Sequence, residues 1–118
     1  MVVDHASDVA AEDLLFKALG DATRRDILIR SRESELSVSA LTRLYPISFA
    51  AVQKHVSQLE RAGLVTKERR GREQIVHVEA AGLARARAAL DRLERDWRAR
   101  VERLDLMLGE SDTDSSND

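Results

Sequence analysis

The chain has 118 residues and no cysteine, which points to one domain with appendages and excludes disulfides, thiolate metal sites and cysteine redox chemistry. Its formal net charge is −2, but the charge is segregated: residues 1–13 and 109–118 hold eight acids and no base, while residues 14–108 hold 19 bases against 13 acids, a balance of +6. A basic body with acidic ends suits a polyanionic partner better than the net charge suggests. The opening segment, MVVDHASDVAAEDLLF, has neither the basic flank nor the continuous apolar run of a signal peptide or membrane span, so a cytoplasmic location is expected.

Residues 1–12 read as an acidic N-terminal tail. Leu14, Leu15, Ala18 and Leu19 then recur at helical spacing up to Gly20. Asp21 is placed to cap a second helix, ATRRDILIRSR, which buries Ile27 and Leu28. Ser37 caps a third, VSALTRLY, with Val38, Leu41 and Leu44 facing inward until Pro46 stops it. Only two residues separate that helix from Ser48, which caps the stretch FAAVQKHVSQLER. Two helices joined so tightly form a helix-turn-helix candidate, closed at a C′ position by Gly63. Beyond it, residues 65–69 and 74–78 are predicted to pair as a hairpin with RRGR at its tip. Leu83, Ala86, Leu90, Leu93, Trp97, Val101, Leu104 and Leu108 then recur at steps of three and four, predicting a long amphipathic helix that ends at Gly109. Residues 109–118 read as a disordered acidic C-terminal tail, which leaves 13–108 as the folded domain. The order describes a mainly α protein with a small β-hairpin wing, a dimeric winged helix-turn-helix.

The fourth helix carries the functional reading. Phe49, Val52, Val56 and Leu59 fall on one side and are predicted to dock it on the core. Ala50, Lys54, Ser57, Gln58 and Arg61 lie opposite, Ala51 near the edge, and Gln53 and His55 on the flanks. Small residues in the first turn permit close approach to a groove floor. Gln matches an adenine edge, and Lys and Ser hold phosphates or bases. The same pattern also suits a merely solvated face. At the hairpin, Lys67, Arg69, Arg70 and Arg72 cluster around Glu68. That cluster reads either as a DNA-touching wing, since arginine suits a narrow minor groove, or as charge protecting a strand edge. The long helix is too apolar for so small a domain to cover. Leu90, Leu93, Trp97, Val101, Leu104 and Leu108, with Leu14 and Leu15 of the first helix, are predicted to form a two-fold interface.

The segments LFKALGDATRRDIL and LSVSALTRLYPISFAAVQKHVSQLERAGLVTKERRGREQIVHV resemble the ArsR/SmtB family of bacterial winged-helix repressors over about residues 14–108. The resemblance implies a homodimer formed by the terminal helices that binds a palindromic operator and blocks transcription, often of its own gene. It also implies DNA-binding roles for Ser48, Gln53, Lys54, His55 and Ser57, with Ala50 and Ala51 at small or polar contact positions. For His55 a role as a satisfied boundary residue stays open. Many family members sense metal through a cysteine pair in the third helix, but this chain has Ser37 and Ser39 there, and neutral hydroxyls bind soft metals poorly. The last helix has no histidine, and His5, His55 and His77 are far apart in sequence. No metal site and no cofactor are expected. No catalytic triad, carboxylate pair or glycine-rich phosphate loop appears, so an enzyme is not expected. The alternatives are a repressor responding to a small organic ligand at the dimer interface and a winged-helix protein-interaction module.

Overall fold

The computed structural model describes residues 5–116; the tail expectations for residues 1–4 and 117–118 lie outside them. Among the described residues, five helices and three strands follow in the order α1 (His5–Leu19), α2 (Ala22–Glu33), β1 (Leu36–Ser37), α3 (Val38–Thr42), α4 (Phe49–Arg61), β2 (Val65–Arg70), β3 (Glu73–Val78) and α5 (Ala80–Ser116). The chain divides into two units, one ending at Ala86 and one beginning at Arg87, the second holding the remainder of α5. No described helix is long and apolar enough to cross a membrane.

Local chemistry sets the helix starts. The Asp21 carboxylate accepts the Arg24 N–H at 3.0 Å, Ser37 Oγ accepts the Ala40 N–H at 3.0 Å, and Ser48 Oγ accepts the Ala51 N–H at 3.1 Å. Each bond satisfies one of the donors that a helix N-terminus leaves open. At the far end of α4, Gly63 adopts φ 76°. The Leu64 N–H returns to Leu59 O at 2.9 Å and the Gly63 N–H to Glu60 O at 3.0 Å, the paired bonds of a Schellman stop.

Both terminal helices run further than the periodicity suggests. α1 begins at His5, since residues 5–13 are alanine-rich and hold no glycine or proline. α5 passes through Gly109 to Ser116, where the sequence reading ends the helix and begins a disordered tail. One glycine inside a helix costs about 1 kcal/mol relative to alanine and does not by itself stop it.

The sheet is antiparallel in the order β1-β3-β2, with Leu36 opposite Val76 and Lys67 opposite the same residue from the other side. β1 is absent from the sequence reading, because two residues carry no alternation to read. The core lies between this sheet and the helices, and includes Ile27 of α2, Leu41 of α3, Val52, Val56 and Leu59 of α4, and Val76 of β3, all fully buried.

Three assignments change, two inward ones and one at the expected interface. Phe49 is 45% exposed: it follows a turn whose residues Pro46, Ile47 and Ser48 are themselves exposed, so nothing covers it. Leu44 is 44% exposed because α3 ends at Thr42 and helical spacing no longer applies; Tyr45 packs on the core instead. Leu15, assigned to a dimer interface, is buried inside the monomer core, while Leu14 beside it is exposed. The Tyr45 hydroxyl also donates to Asp26 Oδ2 at 2.5 Å, and Arg30 Nε donates to the same oxygen at 2.7 Å. These two donors, Tyr45 foremost, hold the Asp26 carboxyl below its ordinary pKa and tie the α3–α4 turn to α2.

α5 begins in close contact with the end of α4. A Cβ on Gly82 would stand 2.0 Å from Gly63 O and 3.1 Å from Leu64 Cα, both backbone atoms that cannot swing aside. Gly82→Ala therefore requires the two segments to separate. It is expected to lower stability by about 1–3 kcal/mol, the usual cost of overpacking, seen as a reduced midpoint in thermal or urea unfolding.

Candidate nucleic-acid interface

Because Val52, Val56 and Leu59 are buried, the rotation of α4 about its own axis is set, and with it the fate of every polar side chain it carries. Ala50, Gln53, Lys54 and Ser57 face a cleft of about 290 Å3, completed by Val38, Val56, Lys67 of β2 and Gln74 of β3. The fold thus gathers four of the helix candidates and Lys67 of the wing around one surface, which Arg69, Arg70 and Arg72 do not line. Ser48 caps the helix at its entry, with Ala50 exposed and Ala51 half-buried. Lys67 lies 3.4 Å from Glu60, so the base of the wing is tied to α4. Gln74 is missing from the sequence reading. It is exposed near the start of β3, and the pairing of β3 with β2 brings it beside α4.

The opposite flank of α4 behaves differently. Gln58 and His55 turn toward α2: Arg24 Nη1 donates to Gln58 Oε1 at 2.6 Å and lies 3.2 Å from His55 Nδ1. His55 also stands 3.9 Å from the Asp21 carboxylate. That carboxylate is held below its ordinary pKa, chiefly by the Arg24 backbone N–H. Gln58 and His55 therefore already have partners within the protein, unlike Gln53 and Lys54, which are exposed on the cleft side. Among the described residues no group of three or more His, Cys, Asp or Glu side chains is arranged to hold a metal ion.

No family model matches the chain. It is 36% identical over 86 residues to the HTH-type transcriptional regulator Rv2034 of Mycobacterium tuberculosis, covering 73% of this chain and 80% of that regulator. Its fold matches the solved ArsR-like transcriptional regulator from Rhodococcus sp. RHA1 with a TM-score of 0.72 and 30% identity, over 84% of this chain and 93% of that one. The chain belongs to the ArsR family of HTH-type transcriptional regulators. A homodimeric winged helix-turn-helix DNA-binding domain from Mycobacterium bovis, 22% identical, shares the fold with a TM-score of 0.63 over 81% of this chain and 90% of that one.

Within this ArsR-family regulator β2 and β3 are the wing, and its arginines are not equivalent. Arg70 donates to Glu35 Oε2 at 2.9 Å and to Glu68 Oε2 at 2.8 Å. Its guanidinium holds both carboxyls below their ordinary pKa, and they in turn raise its own. His77 Nε2 joins the group 3.3 Å from Glu68 Oε1. Arg69 donates to Gly71 O at 3.3 Å, and Arg72 stands exposed with no ion pair among the described residues. Arg69 and Arg72 are thus ready to meet a phosphate, whereas Arg70 has to leave two carboxylates first. The pair Glu35→Gln and Glu68→Gln is expected to tighten binding to duplex DNA about two- to five-fold and to steepen its salt slope by about one, as one more cation becomes available. Fluorescence anisotropy over a salt series checks this; unchanged affinity and slope would show that Arg70 does not reach DNA.

Proposed function

We infer that this regulator is a homodimeric, metal-independent repressor whose two α4 helices read the half-sites of a palindromic operator. The convergence of Ala50, Gln53, Lys54, Ser57 and Lys67 on one cleft carries the reading. Gln53 offers both an acceptor and a donor to an adenine edge, Lys54 and Lys67 offer charge to phosphates, and Ala50 lets the helix approach a thymine methyl. Arg69 and Arg72 at the wing tip supply sequence-independent attraction to the neighbouring backbone. Family membership makes DNA the partner; repression, palindromy and independence from metal are the specific proposals.

The dimer rests on the second unit. There Leu90, Leu93, Trp97, Leu104 and Leu108 are each more than half exposed, and Val101 is half-buried. Such an apolar stripe along one helix is larger than an isolated soluble chain normally leaves to water. Pairing with the same stripe of a second copy covers it with two-fold symmetry and sets two recognition helices about 34–36 Å apart, or a multiple of that. The M. bovis neighbour of the same fold is itself homodimeric. Trp97→Glu places a charge in the stripe and is expected to give monomers in sedimentation, with specific DNA affinity reduced at least about ten-fold through loss of the second half-site. A persisting dimer would move the interface elsewhere.

The deciding measurement is selection of duplexes from a random-sequence pool, followed by binding with and without a chelator. A palindromic consensus bound equally in both conditions supports the reading. Binding abolished by the chelator would overturn metal independence. Failure to select any sequence, with an association that survives high salt, would favour a protein-interaction module instead.

A further inference from the structure

Arg24, in the first turn of α2, meets four residues on two other helices. Its Nε donates to Ala18 O at 2.8 Å and its Nη2 to Lys17 O at 2.8 Å. Both acceptors belong to the last turn of α1, where carbonyls have no partner within the helix. The remaining arm, Nη1, meets Gln58 Oε1 and His55 Nδ1 on α4. One planar fork therefore joins three helices: it sits on α2, closes the end of α1 and holds one flank of α4.

The chemistry of each partner makes the arrangement directional. A guanidinium only donates, so the 3.2 Å contact with His55 Nδ1 is a hydrogen bond in the tautomer in which that nitrogen accepts. Gln58 gives its only carbonyl oxygen to Arg24. Bidentate reading of adenine needs that oxygen and the amide nitrogen together, and although the oxygen keeps a second lone pair, its bond to Arg24 turns the amide toward α2. Lysine could not substitute for Arg24, since a single ammonium on a flexible stem does not span two carbonyls on one side and an amide and an imidazole on the other.

We propose that Arg24 is a positioning residue for operator recognition, acting through Gln58 and His55 to set the angle at which α4 presents Gln53, Lys54 and Ser57. This rests on the reading of α4 as the recognition helix. Arg24 itself touches no DNA. Gln58 and His55 are anchors, and the readable surface of α4 is confined to its wing-side flank. Sequence discrimination then depends on α1 as well, because the same side chain ends that helix and orients α4.

The test compares specific and unrelated duplexes, using the sequence selected by the wild-type protein and counting only binding-competent protein. Arg24→Lys and Arg24→Gln are expected to lose about ten-fold in specific affinity, within the range seen for coupled contacts, with nonspecific affinity unchanged. Gln58→Ala is expected to lose part of the same discrimination, and to add nothing in the double variant with Arg24→Gln. Gln58→Glu keeps an acceptor for the guanidinium and is expected to restore wild-type discrimination. A base-reading Gln58 would instead make the glutamate the worst variant, since a carboxylate repels DNA, and that result overturns the proposal. So does a folded Arg24→Gln or Gln58→Ala protein that keeps full discrimination. If the Arg24 variants do not fold, the Gln58 pair alone decides. A wild-type protein that selects no sequence overturns the reading of α4 as well as this inference, and is thereby distinguished from a failure of the clamp alone.

Discussion

Burial of three side chains on α4 governs the rest of this molecule. Val52, Val56 and Leu59 are fully enclosed by the core, and removing such groups from water contributes about 1.5–3 kcal/mol apiece. A helix so docked has no freedom to rotate about its axis, so each remaining position is committed to a direction. Gln53, Lys54 and Ser57 go to the wing side, and His55 and Gln58 go to α2. Which polar side chains face the cleft and which face α2 follows from the rotation that the apolar stripe imposes.

Two contacts hold α4 along its length. At its end, Gly63 and Gly82 let backbone approach backbone with no side chain between them, which brings the start of α5 against the turn into the wing. On its flank, Arg24 replaces what would be a loose polar surface with a set of directed hydrogen bonds. Neither contact is apolar, and neither adds much to the core. Both restrict where the recognition helix stands, which matters more to a DNA-binding protein than extra stability, because base contacts depend on fractions of an ångström.

The wing shows a second economy of charge. The hairpin is rich in arginine, yet Arg70 is engaged by Glu35 and Glu68, and Lys67 by Glu60. Exposed ion pairs of this kind are weak and exchange readily for phosphate. They engage part of the hairpin's positive charge within the protein, while Arg72 stands exposed with no ion pair among the described residues.

Much of this was legible in the chain alone. The caps Asp21, Ser37 and Ser48 and the stop at Gly63 are decided by residues within a turn of one another, and the helix-turn-helix and the wing by neighbouring segments of chain, so the sequence by itself determined them. What depended on distant partners was not legible. Phe49 and Leu44 have the right spacing for burial but no neighbour to cover them, and Leu15, on an exposed-looking helix, has the core. β1 exists only because β3 lies beside it. On a helical wheel Gln58 falls on the outward side and His55 on a flank; that both meet Arg24, 34 and 31 residues away, is decided only by the fold. Periodicity reports which face of a helix is apolar; only tertiary structure decides what each polar flank meets, because hydrogen bonds depend on positions in space that no spacing along one helix encodes.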